Sequence, residues 1–341
     1  MLQKIAEIFQ NEDLLSKAAD QEDSLLRLVY VTAFCIAQYG GTQSRCSKPF
    51  NPILGETFEF KTPEWKFLAE QVSHHPPISA GYLDHEKYEC WMNTHMTTKF
   101  WGKSLEFKPL GNIHFRYKDT DDHFVCQRPN SSVNNIILGT MYINHSGESN
   151  VINTITGEKG VINFKTPGMF ANKSKRGQVE ASIEDAKGEE VYQIFGNWTT
   201  SLSFKKKGDS DENAKLIWEF PAVSENWESI YHFTDFTLQL NTISNKLKRI
   251  LPLTDSRLRT DQRYLENGDL KLANAEKIRL EEKQRRRRKR MEEEKFEYTP
   301  KYFVKEQDTA VGEEGYISYK YTGDYWKDRE EGNWTEMLDL F

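Results

Sequence analysis

The sequence predicts an α+β fold in which a long antiparallel meander of strands lies between two helical regions. Three observations carry this. Apolar residues recur at helical spacing over residues 1–39, the period shortens to two with a turn residue roughly every ten positions from about Lys48 to Phe220, and a 3-4 spacing returns after Trp227. At 341 residues the chain is long for one unit, but antiparallel barrels often exceed the average domain size. We therefore expect a single domain over 1–341, with a helical part at 1–39, a barrel part at 40–221 and a helical C-terminal part at 222–341.

In the first part, Leu2, Ile5 and Phe9 share one helical face, and Asp23 or Ser24 is placed to cap a second helix through Tyr39, which Gly40 and Gly41 end. In the strand region, Leu105 with Phe107, then Ile113, Phe115 and Tyr117, then Val191 to Trp198 alternate or nearly so. Turns are expected at Pro109 with Gly111, Asn130 with Ser131, Ser146 with Gly147, Thr156 with Gly157, and Lys187 with Gly188. A meander of this length closes or nearly closes to hide its edges.

After Trp227, the residues Phe233, Phe236, Leu240, Ile243, Leu247 and Ile250 predict a helix up to Pro252. Asp269 can start a further long helix. Aromatics at Tyr302, Phe303, Tyr316, Tyr319, Tyr321, Tyr325, Trp326 and Trp334 predict that the tail packs back on the body.

Composition excludes several function classes. With 46 basic and 52 acidic residues, net −6, no global field draws the chain to nucleic acid or an anionic membrane. The run Arg285 to Arg290 lies between glutamates at 276, 281, 282 and 292 to 294, so that helix is mixed in sign. A solvated, partly membrane-facing role fits Arg286 to Arg290 better than nucleic-acid binding. The longest apolar stretch, Leu25 to Ala37, is interrupted by Arg27 and falls short of the ~20 residues of a bilayer-spanning helix. The opening MLQKIAEIF lacks the marks of a secretory signal. A cytosolic protein with peripheral association to organelle membranes is expected. Cys35, Cys46, Cys90 and Cys126 show neither zinc nor disulfide spacing and are expected reduced.

The densest chemistry is the octapeptide EQVSHHPP, Glu70 to Pro77. Pro76 and Pro77 must end whatever strand carries His74 and His75, so the imidazoles belong at a rim, where both ring nitrogens can donate to an anionic, oxygen-rich group. Upstream, SKPFNPILGETFEF holds Lys48 and Asn51 in a proline-restricted loop. Downstream, AEKIRLEEKQ and the arginine after it set Lys277, Glu281 and Arg285 at steps of four on one helix face.

Together these segments resemble the lipid-binding domain of the oxysterol-binding protein family, whose signature is EQVSHHPP and whose companion motifs are KPxNPxLGE and KxxxExxxR, over about Leu14 to Trp334. The resemblance implies an incomplete, many-stranded antiparallel β-barrel around a tunnel that holds one lipid, with a phosphoinositide headgroup at the mouth. Carried over residue by residue, it places Lys48, Pro49, Phe50 and Asn51 in the headgroup loop. It sets His74 and His75 on the 4-phosphate and Lys277 and Arg285 on phosphate oxygens. Glu56 and Glu281 match acidic positions, which we expect to face inositol hydroxyls or to orient Lys277 and Arg285. Family members also carry a segment ahead of the first helices that covers the mouth. Here Leu2 to Phe9 alone is available for that role, and a leaky seal over the lipid tails is expected.

The implied function is extraction of phosphatidylinositol 4-phosphate and its exchange in one tunnel for a second lipid, sterol or phosphatidylserine, with no cofactor and no metal. The alternative is a lipid sensor whose tunnel occupancy controls a partner. Catalysis is disfavoured, because the histidine segment has neither HExxH nor a GxSxG elbow.

Overall fold

The computed structural model describes residues 1–166, 176–311, 316–335 and 337–341. The helical start divides into α1 (Leu2–Ala6), a 3-10 turn (Glu7–Asn11), α2 (Glu12–Ala19) and α3 (Ser24–Ala37). Asp23 caps α3, its Oδ1 accepting from the N–H groups of Leu25 and Leu26 at 2.8 and 3.1 Å. From Leu28 to Ala37 nearly every α3 side chain is buried. A helix that is apolar on every side belongs inside, and α3 lies against β8 and β10 to β15 of the sheet described next. Leu2, Ile5, Ala6 and Phe9 are buried in the same core. α1, part of the Leu2 to Phe9 segment, packs against the first three strands of that sheet.

The sheet has fifteen antiparallel strands: β1 (Thr57–Lys61), β2 (Trp65–His74), β3 (Pro77–His85), β4 (Tyr88–Asn93), β5 (His95–Phe100), β6 (Ser104–Leu110), β7 (Asn112–Tyr117), β8 (His123–Gln127), β9 (Asn130–Asn134), β10 (Tyr142–Asn153), β11 (Lys159–Phe164), β12 (Gln178–Glu184), β13 (Glu190–Asn197), β14 (Ser201–Lys206) and β15 (Lys215–Glu219). The path runs β1-β2-β3-β4-β7-β8-β10 through β15, and β5, β6 and β9 form a side sector joined through β10. Among the described residues β1 and β15 do not pair, so the barrel is incomplete. The free edge of β1 is instead met by Thr254 and Asp255, with Thr57 N–H donating to the Thr254 carbonyl at 2.9 Å.

Two expected turns are strand. Asn130 and Ser131 open β9, and Ser146 with Gly147 lie inside β10. Gly147 adopts φ +89°, where β10 changes partner from β9 to β11. A positive-φ glycine thus bends one strand between two sheet sectors, a use that sequence cannot separate from a reverse turn. The predicted single helix before Pro252 is two helices, α4 (Asp235–Leu240) and α5 (Asn245–Ile250). Thr234 and Ser244 each cap a helix start, accepting from Thr237 and Leu247 N–H, and the second cap interrupts the periodic stripe.

The C-terminal part is not wholly helical. After α6 (Thr260–Glu266) and α7 (Leu270–Glu293) comes a two-stranded ribbon, β16 (Phe303–Asp308) with β17 (Tyr316–Tyr321), then α8 (Tyr325–Glu331). As expected, the tail aromatics pack back. Tyr302, Phe303, Tyr319, Tyr325 and Trp326 cluster with Leu68 and Val72 on one face of β2, while Phe67 and Ala69 on its other face join the helices. Coverage on both sides explains why β2 is buried without a break from Phe67 to Val72, the polar Glu70 and Gln71 included.

The ribbon is fastened by a buried polar chain. Asp308 accepts from Asn112 at 2.8 Å and from His114 Nε2 at 3.0 Å. His114 Nδ1 lies 3.0 Å from His123 Nε2, and Trp91 stacks on both rings. One set of tautomers satisfies every bond, with His123 donating to His114 and His114 to Asp308. Burial alone would raise the Asp308 carboxyl, but His114, the Ala310 N–H and Asn112 outweigh it and hold it at about 2. Burial, His114 and Arg116 push His123 down to about 4. Both groups titrate below their unfolded values. The His123 contribution should therefore be complete above pH 6.5 and fade toward pH 4, while that of Asp308 fades from pH 3.8 toward 2. Between pH 6.5 and about 4, His123→Gln should gain in thermal midpoint relative to wild type; parallel midpoints across that window would refute the clasp.

Candidate functional site

β2 ends at His74 and β3 starts at Pro77, so His74 and His75 stand at the sheet rim with ring centroids 4.4 Å apart. Facing them is α7, whose 24 residues are started by Asp269, its carboxylate accepting from Leu272 N–H at 3.0 Å. Gln284 Nε2 lies 3.1 Å from His74 Nε2 across 210 positions of sequence, and Arg288 lies 2.6 Å from His75 Nε2. Between rim and helix runs the irregular segment 48–56.

That segment is tied on all sides. Leu54 N–H donates to Gln284 Oε1 at 2.8 Å, and Arg287 donates to the Leu54 carbonyl at 2.7 Å. Gly55 N–H donates to the Gln71 carbonyl at 2.9 Å, and Arg259 donates to the Asn51 carbonyl at 2.8 Å. Phe50 lies with its ring 5.8 Å from both Lys277 Nζ and the Arg259 guanidinium carbon.

The three elements enclose a pocket of about 520 Å³. Of the ten residues singled out from the sequence, Lys48, Pro49, Phe50, Asn51, His74, His75, Lys277, Glu281 and Arg285 line it. Glu281 sits 3.7 Å from Lys277. Glu56 does not line the pocket, and its expected place facing inositol hydroxyls or orienting Lys277 and Arg285 is corrected. It is 0% exposed and accepts from Ile53 N–H at 2.9 Å, Ser256 Oγ at 2.5 Å and Arg259 at 2.9 Å. Its reach is to Arg259, which in turn holds Asn51.

Sequence reasoning missed Arg259, Gln284 and Arg288. Gln284 and Arg288 extend the 277/281 stripe at helical spacing and were findable, whereas nothing in the local sequence distinguishes Arg259. Arg287, assigned with its neighbours to a membrane-facing run, is half-buried and bonded inward. Five cationic side chains, Lys48, Arg259, Lys277, Arg285 and Arg288, line the pocket against one carboxylate, Glu281. Burial, then His75, Arg288 and Arg287, lower the His74 pKa, and its buried Nδ1 has no protein partner. Such a site favours a multiply charged anion with several oxygens.

Gly55 has φ +87°, and a Cβ there would lie 2.6 Å from Leu338 Cδ1 and 3.0 Å from the Tyr298 hydroxyl. Gly55→Ala should therefore cost about 1 to 3 kcal/mol in stability and loosen the Lys48 loop. Chemical denaturation that leaves the midpoint unmoved would contradict this.

The family model described as Oxysterol-binding protein matches residues 1–330. The chain belongs to the oxysterol-binding protein family. It is 35% identical over 367 residues to oxysterol-binding protein homolog 2 of Saccharomyces cerevisiae, covering 100% of this chain and 28% of that protein. To human oxysterol-binding protein-related protein 6 it is 37% identical over 341 residues, covering 98% and 35%. The chain thus spans about a third of these curated relatives. Among solved structures it is similar to the Osh1 ORD domain in complex with cholesterol (TM-score 0.90, 34% identity, 100% of this chain and 84% of that one). It is also similar to the Osh3 ORD in complex with PI(4)P from Saccharomyces cerevisiae (TM-score 0.86, 32% identity, 100% and 88%). The open sheet with helices at both ends of the sequence is the family architecture.

Proposed function

We propose that residues 1–341 act as one lipid-binding domain that extracts phosphatidylinositol 4-phosphate and exchanges it for a second lipid, a sterol or phosphatidylserine, between membranes. One observation carries this reading: two imidazoles and five cationic side chains, drawn from segments distant in sequence, converge on a single opening of headgroup size. The diester and monoester phosphates of this headgroup supply the anionic oxygens that such a collar lacks, and the monoester has a second pKa near 6. Lys48, Lys277, Arg285, His74 and His75 would hold the phosphates, Asn51 and the backbone of Pro49 and Phe50 the inositol side, with Glu281 orienting Lys277. The solved relatives support the choice of cargo, since one is recorded with PI(4)P and another with cholesterol.

Among the described residues no helix is long and apolar enough to cross a membrane. In our reading the protein works from the cytosol at membrane surfaces, and as a binding protein, not an enzyme. The test is native mass spectrometry after incubation with liposomes containing phosphatidylinositol 4-phosphate, sterol and phosphatidylserine, together with transfer between two liposome populations. One lipid per protein, with each displacing the other and appearing in acceptor liposomes, is expected. Simultaneous occupancy by two lipids would overturn exchange, and occupancy without net transfer would favour the sensor.

A further inference from the structure

We propose that two adjacent hairpin tips, Phe100–Trp101 and Ile137–Leu138, are a membrane-inserting element that seats the domain on a bilayer. The β5–β6 and β9–β10 connections carry large apolar side chains that the fold leaves open: Phe100 is 62% exposed, Trp101 55%, Ile137 74% and Leu138 86%. Scattered exposed apolar residues need no explanation, but these come as two adjacent pairs on neighbouring tips. β6 pairs with both β5 and β9, Ser104 lies opposite Asn134, and Ile136 N–H donates to the Lys103 carbonyl at 3.2 Å, which binds one tip to the other.

Strand direction identifies what the tips face. His74 and His75 lie at the end of the sheet where β3 starts, where β4 finishes and where β7 starts. β5, β6, β9 and the first half of β10 continue from that same end, so both tips are carried beyond the rim by five or six residues, roughly 15–20 Å of strand. The charges around them fit a bilayer better than a protein groove. Lys99, whose ammonium lies 3.8 Å from the Trp101 ring centroid, and Lys103 flank the tips, and the nearby Glu106 is engaged by Trp101 Nε1 at 2.8 Å. Aromatic and aliphatic side chains with lysines beside them match an interface in which acyl chains lie beneath anionic headgroups. The occupant we infer is the surface of an anionic phospholipid bilayer.

This inference rests on the proposed function for its orientation, since it requires the pocket mouth to face a membrane. The experiment separates the two. The variant Phe100→Ser, Trp101→Ser, Ile137→Ser, Leu138→Ser changes exposed positions only and should fold as wild type. Co-sedimentation with phosphatidylcholine vesicles containing phosphatidylserine should weaken at least about tenfold, the change expected from exposing the area of one large apolar side chain. Binding of soluble short-chain phosphatidylinositol 4-phosphate should be unchanged. If wild type does not bind the short-chain lipid while the vesicle loss is seen, the pocket assignment fails and the tips stand. In a Cys46→Ser background, an environment-sensitive fluorophore on Leu138→Cys should shift to the blue on vesicle addition. Vesicle binding unchanged in the variant, or no spectral shift, would overturn the proposal. So would a wild-type dimer that the variant makes monomeric with vesicle binding intact, which would make the tips a contact between copies.

Discussion

Replacing His74 and His75 together by alanine should lower affinity for phosphatidylinositol 4-phosphate more than a hundredfold while leaving the unfolding midpoint nearly in place. On the proposed reading each imidazole supplies a charge-assisted contact worth ~1.5 to 3 kcal/mol, and every 1.4 kcal/mol is about tenfold in affinity. The structure adds a second contribution. The two rings are also the partners of Gln284 and Arg288, so their removal frees the α7 side chains that face the pocket. Folding should tolerate the change, because His75 is exposed and His74 only half-buried, and neither belongs to an apolar cluster. Calorimetric titration with a short-chain lipid checks the first outcome and circular dichroism melting the second. Retained wild-type affinity would remove these residues from the site.

A pH dependence follows from the same pair. In the free protein His74 sits below its ordinary pKa because of burial and neighbouring positive charge. A bound phosphate dianion favours the protonated ring, so binding takes up a proton and affinity should rise as pH falls from 8 toward 6.5. In the His74→Ala variant this slope should flatten.

What the sequence discloses here divides by physical range. The histidines were legible because two prolines fix the strand end locally, and the α7 face because helical spacing is a local property. Asp23 and Asp269 were legible as caps for the same reason. Glu56 was misassigned because its partner, Arg259, is 203 positions away, and no local pattern says that a glutamate in a motif turns inward. The β16–β17 ribbon was missed because its strands are exposed on much of one side and depend on Asp308 meeting His114 across the molecule. Similarly, Gly147 has the local signature of a turn, and only the change of partner along β10 shows it to be a bend.

The largest stability effect should come from that hidden partner. Arg259→Ala is expected to cost about 3 to 5 kcal/mol, because it strands buried carboxylates of both Glu56 and Asp261, each now 2.9 Å from the guanidinium. Burial disfavours the charged arginine, yet Glu56 and Asp261 more than compensate and raise its pKa, so the ion set is mutually held. Loss of the bond to the Asn51 carbonyl also releases the Lys48 loop. Urea denaturation should show the lowered midpoint, and lipid titration under conditions that keep the variant folded should show weakened headgroup binding as well. Arg259→Lys separates charge from geometry. It retains a cation beside the two carboxylates but lacks the fork that grips Asp261 through Nε and Nη2 while Nη1 serves Glu56 and Asn51. We expect it to recover part of the stability and little of the affinity. If Arg259→Ala unfolds at the wild-type midpoint, the inward network does not support the loop, and the pocket must owe its shape to the ties from α7 and from Gln71 of β2.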